Sequence, residues 1–389
     1  MIMRKLYFMI FAALLSITVA CQKSADTGAV PVVRLVKPCD PQKGDMLLTE
    51  VSMGSTVAII GEGLSDVCKI WFNDRPASLN PTMITATSII VSVPSTMPKV
   101  FTNTMILETS TGKRCEYPIS VIIPAPSVDR VECLYAPAGS DLRIHGKYFF
   151  AKENGLVDVT FPGNISAQVK SVTETLITCV VPEGADITGS ITVESQFGKS
   201  RSVDVWRTTE GLFCDAEEPT DVWDDWGRGV FGTENGCAGQ YLIINGPVGN
   251  WVWPKDNTHI YYRRPDDSQI VSEGEVADYA LQFEYLCVNW DCTPFCMWFT
   301  TEDGENIDSA DAQYHWYGAE DSELVVGSWA TKTIPLTDFN TDKDEKETRG
   351  IKDLTTLVNF VAMPFGASEL AEGQMNVWFD NFRIVRINK

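Results

Sequence analysis

Tryptophans and carboxylates crowd the last 183 residues of this 389-residue chain, and the two residue types point to different chemistry. Carboxylate pairs are what acid–base cleavage of a glycosidic bond needs, but an acidic segment supplies pairs by chance. The β-sandwich hydrolases that come into question carry an E-x-D-x-x-E strand, and the runs EDGE (302–305) and EDSE (320–323) have the wrong spacing. Three histidines, no two within seven residues, exclude a readable zinc protease or His-based triad. No glycine loop that would cradle a phosphate is present, so no catalytic residue is assigned. The carboxylates Asp303, Glu305, Asp308 and Asp311, and the set Asn340, Asp342 and Asp344, place oxygens at alternate positions as calcium loops do. They lack the glycine and distal glutamate of a complete loop, so solvated acidic turns are expected and no metal or other cofactor is assigned. The aromatics carry the stronger signal. An indole or phenol stacked on the C–H face of a pyranose removes both from water, while neighbouring amides and carboxylates bond the hydroxyls. Nine Trp in this segment exceed the needs of one core.

The charge follows the aromatics. The chain holds 31 basic and 52 acidic side chains, a net of −21, and residues 207–389 hold 33 of the acidic and 13 of the basic ones, a net of −20. Residues 1–206 are therefore close to neutral. Such a balance argues against a nucleic-acid surface, which needs clustered Lys and Arg.

The elements that must position these residues read as strands throughout. Tyr279, Leu281, Phe283 and Tyr285 alternate with Gln282 and Glu284, and the runs 295–301, 329–336 and 376–387 continue the period of two. No segment holds an apolar period of 3.6 over three turns, and 350–360 is at most a short helix or turn. Residues 207–389 are expected to form a β-sandwich of jelly-roll type.

Upstream, a repeat appears at an offset near 85 residues. Gly54, Ser55, Ile59 and Gly61 recur as Gly139, Ser140, Ile144 and Gly146; Glu108, Gly112 and Lys113 recur as Glu194, Gly198 and Lys199. Matched blocks in the same order imply a tandem duplication. Leu142 and Ile144, then Val157, Val159 and Phe161, alternate with polar residues as strands of a small β-sandwich. The blocks VAIIGEGL and LRIHGKYFF, each followed by a TSIIVSVP or TLITCVVP block and a Gly-Lys hairpin, resemble the immunoglobulin-like IPT/TIG family over residues 32–206. Pro124 and Pro126 bracket the joint. His145 lies on a polar strand face and is expected to be solvated rather than a metal ligand.

The N-terminus joins Arg4 and Lys5 to an apolar run ending at Ala20, the pattern of a secretory signal too short to span a membrane confidently. Cys21 after Thr18, Val19 and Ala20 resembles a bacterial lipobox, although Thr18 replaces the usual leucine. It implies lipidation at Cys21 and a tether over 22–31. Ten further cysteines remain, in odd numbers in two domains; Cys292 with Cys296 would pin one loop, and their connectivity is undetermined.

Seven blocks of the last segment, DVWDDWG, GQYLIING, GNWVW, YALQFEYLCVNW, AQYHWYG, GSWATKTIPLTDF and VWFDNFRIV, resemble the xyloglucan-binding-type domain of surface glycan-binding proteins from polysaccharide-utilisation systems. The layout is then a signal peptide with lipidated Cys21 (1–21), a tether (22–31), two immunoglobulin-like domains (32–124 and 125–206) and a glycan-binding domain (207–389). The fold class is all-β, two tandem immunoglobulin-like sandwiches followed by a larger jelly roll. The resemblance implies a non-catalytic lipoprotein of the outer-membrane surface that captures neutral polysaccharide, β-glucan or xyloglucan, for a glycan transporter complex. It also implies that Trp290, Tyr314, Trp316 and Tyr317 form the aromatic platform. Trp251 and Trp253, on one face at i, i+2 between Gly249 and Pro254, extend it. Trp329 and Trp378 are assigned to packing, while Trp223 and Trp226 suit either role. Asn289, Asp291, Gln313, His315 and Arg263 or Arg264 are the neighbouring polar candidates. An endo-acting hydrolase or lyase on the same fold, and an adhesin with a protein partner, are the alternatives.

Overall fold

The computed structural model describes residues 30–40, 42, 46–153, 155–217, 230–248, 260–262, 270–271, 273–291, 294–300, 312–364 and 373–387. The lipidation candidate Cys21, the tether, Trp223, Trp226, Trp251, Trp253, Arg263, Arg264, Cys292 and the carboxylates Asp303, Glu305, Asp308 and Asp311 lie outside them. Contacts divide the chain into two compact units, 1–124 and 125–389.

In the first unit, strands Val32–Pro38, Thr56–Glu62 and Ser88–Ser92 form one sheet, and Arg75–Pro76, Val67–Phe72, Thr104–Thr109 and Arg114–Pro118 form another. Val57, Ile59, Ile70, Phe72, Ile89 and Leu107 fill the space between them.

The second unit begins with the copy of that sandwich. Ser127–Val131, Asp141–Lys147, Leu176–Val180 and Gln168–Val172 make its first sheet; Ile165–Ser166, Asp158–Phe161, Gly189–Ser195 and Gly198–Trp206 make its second. The repeated glycines have matching duties in the two copies. Gly54 and Gly139 turn the chain at φ of 77° and 80°, a region that L side chains avoid. A Cβ on Gly61 or Gly146 would stand 1.9 Å from the carbonyl oxygen of Val32 or Ser127, the first strand of each copy. The duplication thus preserves the close approach of two backbones. His145 is half-buried, and its Nε2 lies 3.4 Å from a carboxylate oxygen of Glu132, just past the neighbouring strand.

The described residues of 207–389 form a two-sheet antiparallel sandwich. One sheet runs in the order Val230–Gly232, Tyr241–Val248, Gly373–Arg386, Tyr279–Trp290, Trp329–Pro335, with Leu212–Cys214 also paired to Gly373–Arg386. The other runs Ile260–Tyr262, Asn359–Pro364, Phe295–Thr300, Gln313–Trp316. Leu281, Phe283, Tyr285, Phe295, Met297, Phe360, Val377 and Phe379 close the core between them. Among the described residues the only helical turns are 3-10, including Leu354–Thr356 in the stretch read as a short helix or turn.

The outer side of the larger sheet is covered by the second immunoglobulin-like domain. Leu134 N–H donates to Thr331 Oγ1 and Thr331 N–H to the Glu132 carbonyl, both at 2.8 Å. Beneath this seam Arg383 donates to both Glu284 carboxylate oxygens at 2.6 and 2.9 Å and to Gln282 Oε1 at 2.9 Å. The Tyr135 ring lies 5.0 Å from the guanidinium. Gln282 and Glu284 hold the polar parity read from sequence, yet Glu284 and Arg383 are 0% exposed, because this polar face meets another domain instead of water.

Candidate functional site

The short strand Gln313–Trp316 splits the expected aromatic cluster. Alternation sends Tyr314 and Trp316 inward and Gln313 and His315 outward. Trp316 is 2% exposed and Trp290 7%. Their rings meet edge to face at 4.9 Å, and Trp316 also contacts Tyr285 at 5.0 Å and Phe283 at 5.9 Å. Trp316 Nε1 donates to Asp321 at 2.8 Å, and the Lys332 ammonium sits 4.9 Å from its ring while bonding the same carboxylate oxygen at 2.7 Å. Gly318 is pressed against Trp290, where a Cβ would stand 2.1 Å from the indole. Trp290 and Trp316 are therefore core residues and offer no free ring face, which corrects the expectation of a platform there. Alternation turns Trp316 inward, and a register shift between Cys287 and Asn289 at the end of the other strand turns Trp290 inward against the parity of Gln282 and Glu284.

Tyr314 is half-buried against Phe339 at 5.7 Å, and burial pushes its phenol pKa up. Tyr317, beyond the strand, is half-buried, and its phenol is pushed up by burial and then by the neighbouring Glu345 carboxylate. Asn289 and Asp291 are exposed and serve the backbone of Gln374, Asn289 Nδ2 donating to its carbonyl at 3.4 Å and Asp291 Oδ1 accepting its N–H at 2.6 Å. Trp329 is buried as expected, with Nε1 donating to the Asn235 carbonyl at 2.8 Å; Trp378 stacks on Tyr241 at 4.8 Å.

The outward face of the smaller sheet joins the polar candidates Gln313 and His315 to Trp298 and Tyr261, which the sequence had not singled out. Pairing sets Tyr261 beside Val361, Val361 beside Trp298, and Trp298 beside Gln313 in one cross-strand row. The next row is Met363, Cys296 and His315. Cys296, Trp298, Val361 and Met363 form a separate buried cluster with half-buried Tyr261 against it. Gln313 Oε1 accepts from Cys296 Sγ at 3.0 Å and His315 Nε2 at 3.1 Å. That contact assigns the proton of a neutral imidazole to Nε2 and leaves the Nδ1 lone pair free. Burial lowers the His315 pKa, so the neutral ring prevails.

Above this face stands the turn 342–346. Asp342 Oδ1 accepts the N–H groups of Asp344 and Lys346 at 2.8 and 2.9 Å, so the carboxylate read as a possible calcium ligand closes the turn. Among the described residues no cluster of three ligands could hold a metal. Glu345, at the tip, adopts φ of 60°, a left-handed conformation unusual for this residue. Four buried polar atoms here have no hydrogen-bond partner: Trp298 Nε1, Thr300 Oγ1, His315 Nδ1 and Glu345 Oε1. Trp298 escaped the sequence reading because its strand, Phe295–Thr300, is apolar on both faces, so the period of two read over 295–301 does not tell its faces apart. Cys39, Cys68, Cys115, Cys133, Cys179, Cys237, Cys287 and Cys296 are free thiols.

Known proteins resemble this chain in sequence and in fold. Residues 206–386 match the family described as the surface glycan-binding protein B xyloglucan binding domain. An IPT/TIG domain-containing protein of Bacteroides ovatus is 31% identical over 138 residues, which are 34% of this chain and 28% of that protein. The match thus spans less than a third of the relative's length. The crystal structure of the surface glycan-binding protein PbSGBP-B from Prevotella bryantii superposes with a TM-score of 0.70 over 92% of this chain and 99% of that one, at 21% identity, and shows a shared fold. A surface glycan-binding protein B from a complex xyloglucan utilization locus in Bacteroides uniformis aligns over 92% of this chain and 100% of that one at 18% identity, with a TM-score of 0.49, too low to add to the argument.

Proposed function

We propose, from the premise that residues 206–386 are a xyloglucan-binding-type domain of the surface glycan-binding protein B family, that this chain captures neutral polysaccharide at a cell surface without cleaving it. That family match carries the reading. The chain lacks the carboxylate strand of the sandwich hydrolases, and its net charge of −20 over 207–389 disfavours uronate or sulfated chains. Xyloglucan or a related β-glucan is the proposed ligand. Tyr317 and Tyr261, half-buried at the border of the outward face, are the proposed stacking residues, with Tyr314 behind them and Trp251 and Trp253 as further contributors. Lipidation at Cys21 would hold the protein on the outer membrane, the tether and neutral immunoglobulin-like domains would carry the binding domain outward, and a glycan transporter complex would receive the chain. Affinity electrophoresis against xyloglucan, mixed-linkage β-glucan, mannan and polygalacturonate tests the reading. Retardation by one or more neutral gels, none by polygalacturonate and no release of reducing ends are expected. Reducing ends appearing from any of these polymers would make it an enzyme and overturn the proposal.

A further inference from the structure

Buried polar atoms without partners are costly, about 1–3 kcal/mol each, so a group of them on one face calls for an occupant. Three lie close together on the outward face of the smaller sheet. Trp298 pairs with Gln313, two residues from His315 on the facing strand, which places their side chains as diagonal neighbours on one face. Glu345 is a charged neighbour of His315, Cys296 and Tyr317, which brings its carboxylate to the same end of the face. The unused capacity is one indole N–H, one imidazole lone pair and one carboxylate oxygen. It is complementary to two neighbouring hydroxyls, which between them donate to His315 Nδ1 and Glu345 Oε1 and accept from Trp298 Nε1. A cation does not fit, since the indole N–H points a positive edge at the same place.

We infer that Trp298, His315 and Glu345 form a recognition set for a vicinal hydroxyl pair of a neutral sugar residue, and so decide which glycan the domain accepts. The inference rests on the glycan-binding reading above. All three atoms are shielded from solvent, so entry requires the Glu345 turn to lift. Its flanks stay paired meanwhile, Thr341 with both Gln313 and Glu347. The left-handed backbone at Glu345 is a local cost that persists where surrounding structure or function demands it.

Trp298→Phe removes the N–H together with part of a buried ring, and Glu345→Gln removes the charge and puts an amide NH2 in place of one carboxylate oxygen. The smaller ring leaves a cavity in a buried cluster, so Trp298→Phe should melt below the parent, whereas Glu345→Gln, on a half-buried turn, should melt close to it. Titration calorimetry of the full chain with a xyloglucan oligosaccharide and a mixed-linkage β-glucan oligosaccharide, alongside thermal melting, is the test. Each variant is expected to bind the ligand of the parent protein about five- to fiftyfold more weakly, with the melting temperature of Glu345→Gln close to the parent's, so that its loss of affinity is not a loss of fold. Parental affinity in both variants overturns the recognition set and leaves the glycan-binding reading intact. Absence of binding by the parent to either oligosaccharide overturns both. Titrating the parent with monodeoxy forms of the same oligosaccharide provides a check independent of any variant's folding. Loss confined to two adjacent hydroxyl positions supports the set, and tolerance of every deletion overturns it.

Discussion

Trp290 and Trp316 show where reading at the level of the single residue stops. Each stands at the end of a strand beside a polar run, and both Gln313, His315 and Tyr314, Trp316 are acceptable as the inward pair of a four-residue strand. What decides parity is the opposite sheet, where Tyr285 and Phe283 meet the Trp316 ring, and that partner is remote in sequence. Resemblance assigns Trp329 to packing and a place in the final strand assigns Trp378, and both do pack, although against the second immunoglobulin-like domain and not inside the sandwich. Trp298 and Glu345 were not legible. One sits in a strand apolar on both faces, and the other owes its position to a turn closed by Asp342. Truncation of Trp316 to alanine opens a large cavity in the sandwich core and should cost ~3–5 kcal/mol of stability. Denaturant unfolding with a lowered midpoint checks this; an unchanged midpoint combined with lost glycan binding would return Trp316 to the binding surface.

Strands were the most readable elements, and their polar faces were the least. The run from Tyr279 was read with Gln282 and Glu284 facing away from the core, which is correct, but the destination of that face is the second immunoglobulin-like domain. The terminal strand Gly373–Arg386 brings Arg383 to neutralise Glu284 there, and also Asp380, whose carboxylate takes the Cys237 thiol at 3.1 Å and the Asn381 N–H at 2.8 Å. Burial pushes the Asp380 pKa up to about 8. The folded chain therefore holds a proton that the unfolded chain releases above about 3.9, and this residue's contribution to stability falls as pH rises from there through about 8. Asp380→Asn keeps the shape and removes the titration. Its melting temperature relative to the parent should rise between pH 5 and pH 8, and a constant difference across that range would contradict the assignment.

At the scale of the whole molecule, composition separated the two kinds of domain before any fold was known. Repeated glycines at 54 and 139 and at 61 and 146 do in both copies what the repeat demanded, turning the chain and admitting a neighbouring backbone. The docking of the second repeat on the larger sheet left no such trace, because its contacts join residues almost 200 positions apart, as Leu134 and Thr331 are. The carboxylates gathered in the last domain have a further consequence for selectivity. If the ligand is an uncharged sugar held by ring faces and hydrogen bonds, screening the domain's field should leave affinity almost untouched. Titration calorimetry of the intact chain with a xyloglucan oligosaccharide at low and at high sodium chloride measures this directly. The account predicts binding at both, with dissociation constants within about twofold of each other, since the Debye length shrinks from about 10 Å at 0.1 M to about 3 Å at 1 M without touching a neutral contact. Absence of binding, or an affinity that collapses as salt rises, would contradict the claim that this domain captures neutral glycans.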